Sequence, residues 1–353
     1  MKILLLPGDG IGPEIVAAAE RCLDALGRKY GLGIDFETRD VGLPALEKQG
    51  CTVPDGLIDH ARTMDAVVLG PVDTAIYPPA DKGGVNPSAA FRRTLDLYAN
   101  IRPSRSRPGV LALRQMDLVI VRENTEGFYA DRTMFAGAGE FMPTPDLALA
   151  VRKITRQSSD RVVRAACEIA RTRGKRLTIV HKGNVLKLSD GLFREAALAA
   201  AADYPDVEVE EVLVDAMASL LVREPDAFDV IVTTNMFGDI LSNQAAELSG
   251  GLGLGASINA GDGIAIAQAS HGAAPDIAGT DAANPSAIIE SCAMLLDWMG
   301  RRNGENVLVE AGATLARSVD EALAAPETRT PDLGGKLGTR AFGDAVANRI
   351  GAA

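Results

Sequence analysis

Two oxygen-bearing side chains four residues apart, Asp239 and Asn243, stand in the run VIVTTNMFGDILSN from Val230 to Asn243. On a helix, residues at i and i+4 share a face, so this pair would project a carboxylate and an amide carbonyl together. Both are hard donors of the kind a divalent cation takes. The same spacing also suits a solvated polar face, so the pair alone leaves both readings open. A second feature is cationic: Arg92, Arg93, Arg102, Arg105 and Arg107 fall within sixteen positions of a chain whose net charge is −11. Against an acidic background, such a cluster points to a small anionic ligand.

The surrounding pattern supplies elements to hold these groups. Val230 to Thr234 is a β-branched run that suits a buried strand, and the residues after it have helical spacing. Lys2 to Leu6 reads as a strand, Pro7 to Gly12 as a glycine loop and Pro13 to Leu26 as a helix with proline in its first turn. A G-x-G-x-x-G dinucleotide fingerprint starting at Gly8 fails, because Pro13 stands where glycine is required. Strands are expected at 34–38, 65–70, 116–122, 176–180 and 207–214, and helices at 88–98, 161–173, 192–202, 287–299 and 306–323. The segment 100–103 reads as a helix end, 137–139 as part of an exposed turn or hairpin, and 249–263 as a glycine-dense crossing between domains. This alternation predicts an α/β protein with a largely parallel sheet.

Composition narrows the class. At 353 residues and 47% apolar content the chain can bury about two cores. Cys22, Cys51, Cys167 and Cys292 have no paired spacing, and His60, His181 and His271 are dispersed, so neither a disulfide framework nor a histidine–thiolate metal site is expected. The acidic balance argues against nucleic acid, and the lack of a long apolar run against a membrane span or signal peptide, which suggests a cytoplasmic location.

Seven stretches then coincide with one family: GDGIGPEI at 8–15, RRTLDLYANIRP at 92–103, VRENTEGFY at 121–129, HKGNVL at 181–186, VDAMA at 214–218, NMFGDILS at 235–242 and HGAAPDIAG at 271–279. Together they resemble the isocitrate and 3-isopropylmalate dehydrogenase family, in the family's order. The resemblance implies a non-Rossmann two-domain α/β fold with its active-site cleft between domains. A discontinuous cofactor-binding domain of 1–100 plus 250–353 would enclose an inserted smaller domain of 101–249 that carries catalytic and dimer-interface elements. It further implies NAD(P)-dependent oxidative decarboxylation of a malate-type 2-hydroxy acid with Mg²⁺ or Mn²⁺.

The resemblance also assigns roles. Arg92, Arg102 and Arg122 match carboxylate-clamping arginines, Tyr129 and Lys182 the acid and base, and Asp215 and Asp239, with Asn243, the metal ligands. Because Lys182 and Asp215 serve a neighbouring subunit in the family, a homodimer with shared sites is implied. His271, Gly272, Ala273, Ala274, Asp276 and Asn284 match the adenosine-binding segment. A carboxylate at Asp276 would accept from ribose hydroxyls and repel a 2′-phosphate, so NAD is expected over NADP. Asn86 and Ser88, ahead of Arg92, suit a polar substituent better than an isopropyl group, which favours isocitrate, homoisocitrate or a tartrate-like acid. Leucine-pathway 3-isopropylmalate dehydrogenase is the alternative. Asn243, where the family usually has aspartate, motivates a second one, a non-catalytic regulatory subunit of an isocitrate dehydrogenase.

Overall fold

A computed structural model of the chain describes residues 1–129, 134 and 137–352. The first half of the chain provides strands β1 (Lys2–Leu6), β2 (Asp35–Thr38), β3 (Ala66–Leu69), β4 (Ala99–Arg105) and β5 (Asp117–Glu123). Between them lie helices α1 (Gly12–Tyr30), α2 (Leu43–Gln49), α3 (Leu57–Ala61) and α4 (Pro87–Thr94). A small hairpin, β6 (Glu140–Thr144) and β7 (Leu147–Ala150), precedes α5 (Arg156–Arg171). Next come β8 (Arg176–His181), α6 (Ser189–Ala201), β9 (Glu208–Leu213), α7 (Val214–Arg223), β10 (Val230–Thr233) and α8 (Asn235–Ser249). The chain closes with β11 (Ile258–Ala260), β12 (Ala265–Ala267), α9 (Ser286–Asn303), α10 (Asn306–Ala324) and α11 (Thr339–Ala352).

Ten strands form one sheet in the order β2, β1, β3, β12, β11, β4, β5, β10, β8, β9. The pairings are parallel from β2 to β12 and from β5 to β9, and antiparallel at β12–β11, β11–β4 and β4–β5. Three reversals are an odd number, so the two parallel blocks run in opposite directions. Each block is covered on both faces, as parallel strands require. In β1, Ile3 and Leu5 pack with α1 and α9, while Leu4 and Leu6 pack with Leu57, Phe91 and Leu97 on the other side. In β5, Val119 and Val121 face Val162, Val163 and Phe193, whereas Leu118 and Ile120 face Met217, Leu221 and Leu241. This period-two alternation, buried on both sides, explains why these strands read as continuous apolar runs.

Three sequence expectations need correction. Residues 100–103 do not end a helix; they lie inside β4, and α4 stops at Thr94. Pro103 is tolerated because β11 pairs only with Ala99–Ile101, leaving Pro103 flanked by β5 alone. The 249–263 segment is not all loop, since β11 lies within it. The sheet is mixed at its centre. The strands at 2–6 and 230–233 and the helices after Pro87, Ser286 and Asn306 lie where the pattern placed them. Gly137 and Gly139 lead into the exposed hairpin, and residues 130–133 and 135–136 of that excursion lie outside the described residues.

Candidate active site

The charged cluster forms at the carboxyl ends of β5, β10, β8 and β9. Arg122 is the penultimate residue of β5; α8 starts two residues after β10; Lys182 comes directly after β8; Asp215 lies two positions beyond the end of β9. Short connections of this kind hold side chains on rigid elements.

Asp239, on the second turn of α8, receives two guanidinium groups. Arg102 donates to it from β4 at 3.1 Å and to Ser242 Oγ at 2.8 Å, and Arg122 Nη1 makes a short contact with the same carboxylate oxygen, Oδ1. Arg122 is oriented by Asn235 Oδ1, which accepts from Nε at 3.1 Å and from Nη2 at 2.7 Å. Arg102 Nε is held by Asn100. Both arginines are buried, at 6% and 3% exposure, while the Asp239 side chain is one-third exposed. Burial and the neighbouring Arg122 push the Arg102 pKa down to about 10, and burial lowers that of Arg122. Among the described residues both arginines form their ion pairs with the same carboxylate, Asp239. The Tyr129 ring lies with its centroid 5.9 Å from Arg122 Cζ.

Lys182 Nζ pairs closely with Asp215, a contact that holds the exposed Asp215 carboxyl below the usual range. The Lys182 backbone N–H donates at 2.5 Å to Asp190, a fully buried carboxylate that Arg152 also grips. Arg152 in turn donates to Thr234 Oγ1 at 3.0 Å and lies over the ring of Phe237, tying the Lys182 turn to the start of α8. Among the described residues no group of three or more His, Cys, Asp or Glu side chains is placed to hold a metal. One chain therefore offers Asp239 and Asn243 on a shared helix face, hard oxygen donors that fit a cation as part of a larger set.

The first glycine loop abuts the HGAAPD segment. Ile11 N donates to the Ala273 carbonyl at 2.9 Å, and a Cβ on Gly10 would meet that carbonyl oxygen at 2.0 Å. Only glycine fits there, and its φ is +56°. Buried Asp9 braces the loop by accepting from Leu43 N at 2.7 Å, Asp73 N at 2.8 Å and the Tyr77 hydroxyl. Ala274 adopts φ 39°, ψ 62°, unusual for a residue with a side chain. Among the described residues the buried His271 Nε2 has no hydrogen-bond partner, and burial keeps the ring below its usual pKa. Gly272 and Asp276 are exposed, the latter on a 3-10 turn at Pro275–Ile277. An orphaned ring nitrogen and an outward carboxylate on one loop fit a bound nucleoside. Asn284 is engaged internally, accepting from Ser286 and donating to Asp332.

Arg92 lies half-buried on α4, with Asn86 and Ser88 at that helix's start. Asn86 caps the helix, its Oδ1 accepting from Ala89 N at 3.1 Å, and Ser88 Oγ accepts from Gln268 at 2.7 Å. Arg105 and Arg107 do not join the anion site suggested by their spacing. They are matched by Asp320 and Glu290 on α10 and α9. Residues the sequence reading missed include Asn235 and Ser242, which with Asp239 follow the i, i+4, i+7 spacing of one helix face. That periodicity could have found them. Asp190, Arg152 and Gln268 gave no comparable signal.

Fold and cluster define a class: α/β proteins with charged groups gathered outside the carboxyl ends of parallel strands, where open sheets bind ligands. Its particular member is set by comparison. The sequence pattern of isocitrate/isopropylmalate dehydrogenase matches residues 2–346, and the chain belongs to that family of oxidoreductases acting on small hydroxy acids. It is 42% identical over 352 residues to the isocitrate/homoisocitrate dehydrogenase of Thermus thermophilus, covering 99% of this chain and 98% of that one. It is 40% identical to the 3-isopropylmalate dehydrogenase of Archaeoglobus fulgidus, covering 99% of each. The crystal structure of isocitrate dehydrogenase from Methylococcus capsulatus superposes with a TM-score of 0.87 at 39% identity, again covering 99% of each chain. Among the described residues no helix is long and apolar enough to cross a membrane.

Proposed function

We propose that the chain is an NAD-dependent dehydrogenase, requiring Mg²⁺ or Mn²⁺, that oxidatively decarboxylates a 3-substituted malate with a polar substituent, such as isocitrate, homoisocitrate or a tartrate-like acid. The observation that carries this reading is the convergence of Arg102 and Arg122 on the single carboxylate of Asp239. The two buried guanidinium groups supply fixed, bidentate-capable donors with positive charge left over for substrate carboxylates. Arg92 adds a third such group from α4.

Lys182 of a second copy serves as the base that removes the hydroxyl proton, and Tyr129, beside Arg122, returns a proton to the enol carbon. Asp239 and Asn243, with Asp215 from a second copy, hold the divalent cation. When bound, the cation supplies Lewis-acid polarisation of the reacting oxygen and NAD accepts the hydride. His271 and the 272–274 backbone face the adenosine, and Asp276 selects against a 2′-phosphate. The chain divides into a cofactor unit of 1–100 plus 250–353 and an inserted unit of 101–249. A homodimer with shared sites is supported by the β6–β7 hairpin, which exposes Phe141, Met142, Leu147 and Leu149. Sedimentation run alongside activity on dilution reads this, and a fully active monomer would refute it.

A second reading, 3-isopropylmalate oxidation, is favoured by one observation: the chain is nearly as similar to a 3-isopropylmalate dehydrogenase, at 40% identity, as to an isocitrate/homoisocitrate dehydrogenase, at 42%. The decisive assay is reduced-cofactor formation with Mn²⁺ across isocitrate, homoisocitrate, tartrate, malate and 3-isopropylmalate, with NAD and NADP in parallel. The proposal expects the highest kcat/KM with NAD and an acid bearing a polar substituent. Preference for 3-isopropylmalate, or for NADP, overturns the corresponding part, and no turnover with any acid supports a regulatory subunit.

A further inference from the structure

We infer that Gln268 is a positioning residue for substrate choice, which turns the Ser88 hydroxyl hydrogen toward the bound acid. The inference deepens the proposed function, because it rests on Ser88 facing the substituent of the substrate.

Three buried amides form a relay behind α4. Asn124 Nδ2 donates to the Leu97 carbonyl at 2.9 Å and to Asn259 Oδ1 at 3.0 Å. Asn259 Nδ2 donates to Gln268 Oε1 at 3.3 Å. Gln268 Nε2 donates to Ser88 Oγ at 2.7 Å and reaches the Gly70 carbonyl at 3.5 Å. A side-chain amide can be turned end for end, but a backbone carbonyl can only accept. Leu97 therefore fixes the sense of Asn124 at one end of the relay, and Gly70 fixes Gln268 at the other. Both ends demand the same polarity, and Asn259 between them satisfies it.

The consequence falls on Ser88. Its oxygen receives a hydrogen from Gln268, so its own hydrogen must point elsewhere, and no acceptor for it occurs among the described residues. Ser88 is only partly buried and lies in the first turn of α4. Asn86, whose carbonyl accepts from the cap, adds the two N–H donors of its amide. The start of α4 is thus a wall of donors. It matches a substituent that carries an oxygen acceptor, above all a carboxylate, and would leave donors unpaired against an alkyl group.

The test is a double-substitution cycle on the full-length enzyme with NAD and Mn²⁺, comparing kcat/KM for isocitrate with that for 3-isopropylmalate in the native protein, Gln268→Met, Ser88→Ala and the double variant. Gln268→Met should lower the isocitrate-to-isopropylmalate ratio about tenfold, chiefly through the isocitrate KM, and should leave the ratio unchanged once Ser88 is alanine. A ratio that Gln268→Met does not move, or a shift of equal size in the Ser88→Ala background, overturns the inference. If the methionine variant fails to fold, Gln268→Glu keeps the Asn259 bond while withdrawing the donor, and the same cycle applies. Where turnover of one acid is too slow, equilibrium binding constants give the ratio. The native substrate profile decides the proposed substrate separately, because the cycle reads only the change in ratio.

Discussion

Arg102 and Arg105 leave the same strand three residues apart, yet they meet opposite fates. Arg102, with Arg122, shares one carboxylate, Asp239. Arg105, with Arg107, meets two, Asp320 and Glu290. The first arrangement sets two guanidinium groups on one carboxylate that is partly open to solvent; the second is charge-matched and ties β4 and the loop after it to α9 and α10. Guanidinium groups in both are well bonded. On the proposed reading, what separates the binding cluster from the structural one is the ratio of cations to carboxylates, which arginine spacing along the chain does not reveal.

Substitutions can separate the two clusters. The largest expected effect is on catalysis: Arg102→Gln should lower kcat/KM by about 100-fold, near 3 kcal/mol of lost charge-assisted binding, with little loss of stability because one cation still pairs with Asp239. Steady-state kinetics beside a urea melt reads both quantities. Equal kinetic and stability losses would erase the distinction. The converse change, Arg107→Met, leaves Glu290 buried without its closest partner and should destabilise the fold by about 3 kcal/mol in urea titration. The folded fraction should keep kcat/KM within about threefold, since the sites share no side chain. The smallest change sharpens the binding cluster alone. Asn243→Asp adds the second carboxylate on the α8 face and should reduce the Mn²⁺ concentration for half-maximal activity by about tenfold. An unchanged metal requirement would place Asn243 outside the coordination shell.

How far the sequence could be read depends on where each element draws its stability. Strands such as β1, β5 and β10 are buried on both faces, so their apolar runs announce them. By contrast, β11 and β12 have three residues each and persist because neighbours pair with them, a cause invisible in their own short, Ala-rich composition. Helix α7 was missed for a related reason, since Leu213 at its start offers no side-chain cap. In the candidate site, the Asp239 cluster and the Lys182–Asp215 pair fall on segments whose motifs stood out in the sequence. Gln268 did not, because its role comes from what it touches rather than from any local pattern.

The unbroken run of ten strands bears on how the cleft can move. A sheet hydrogen-bonded from one block to the other contains no free joint, and its stiffness against shear is that of the backbone ladder itself. Any closing of the cleft around a ligand must then be taken up as a graded change of twist across β12, β11, β4 and β5. The molecule would flex like a leaf spring, with opening and closing coupled through the strand that carries Arg102.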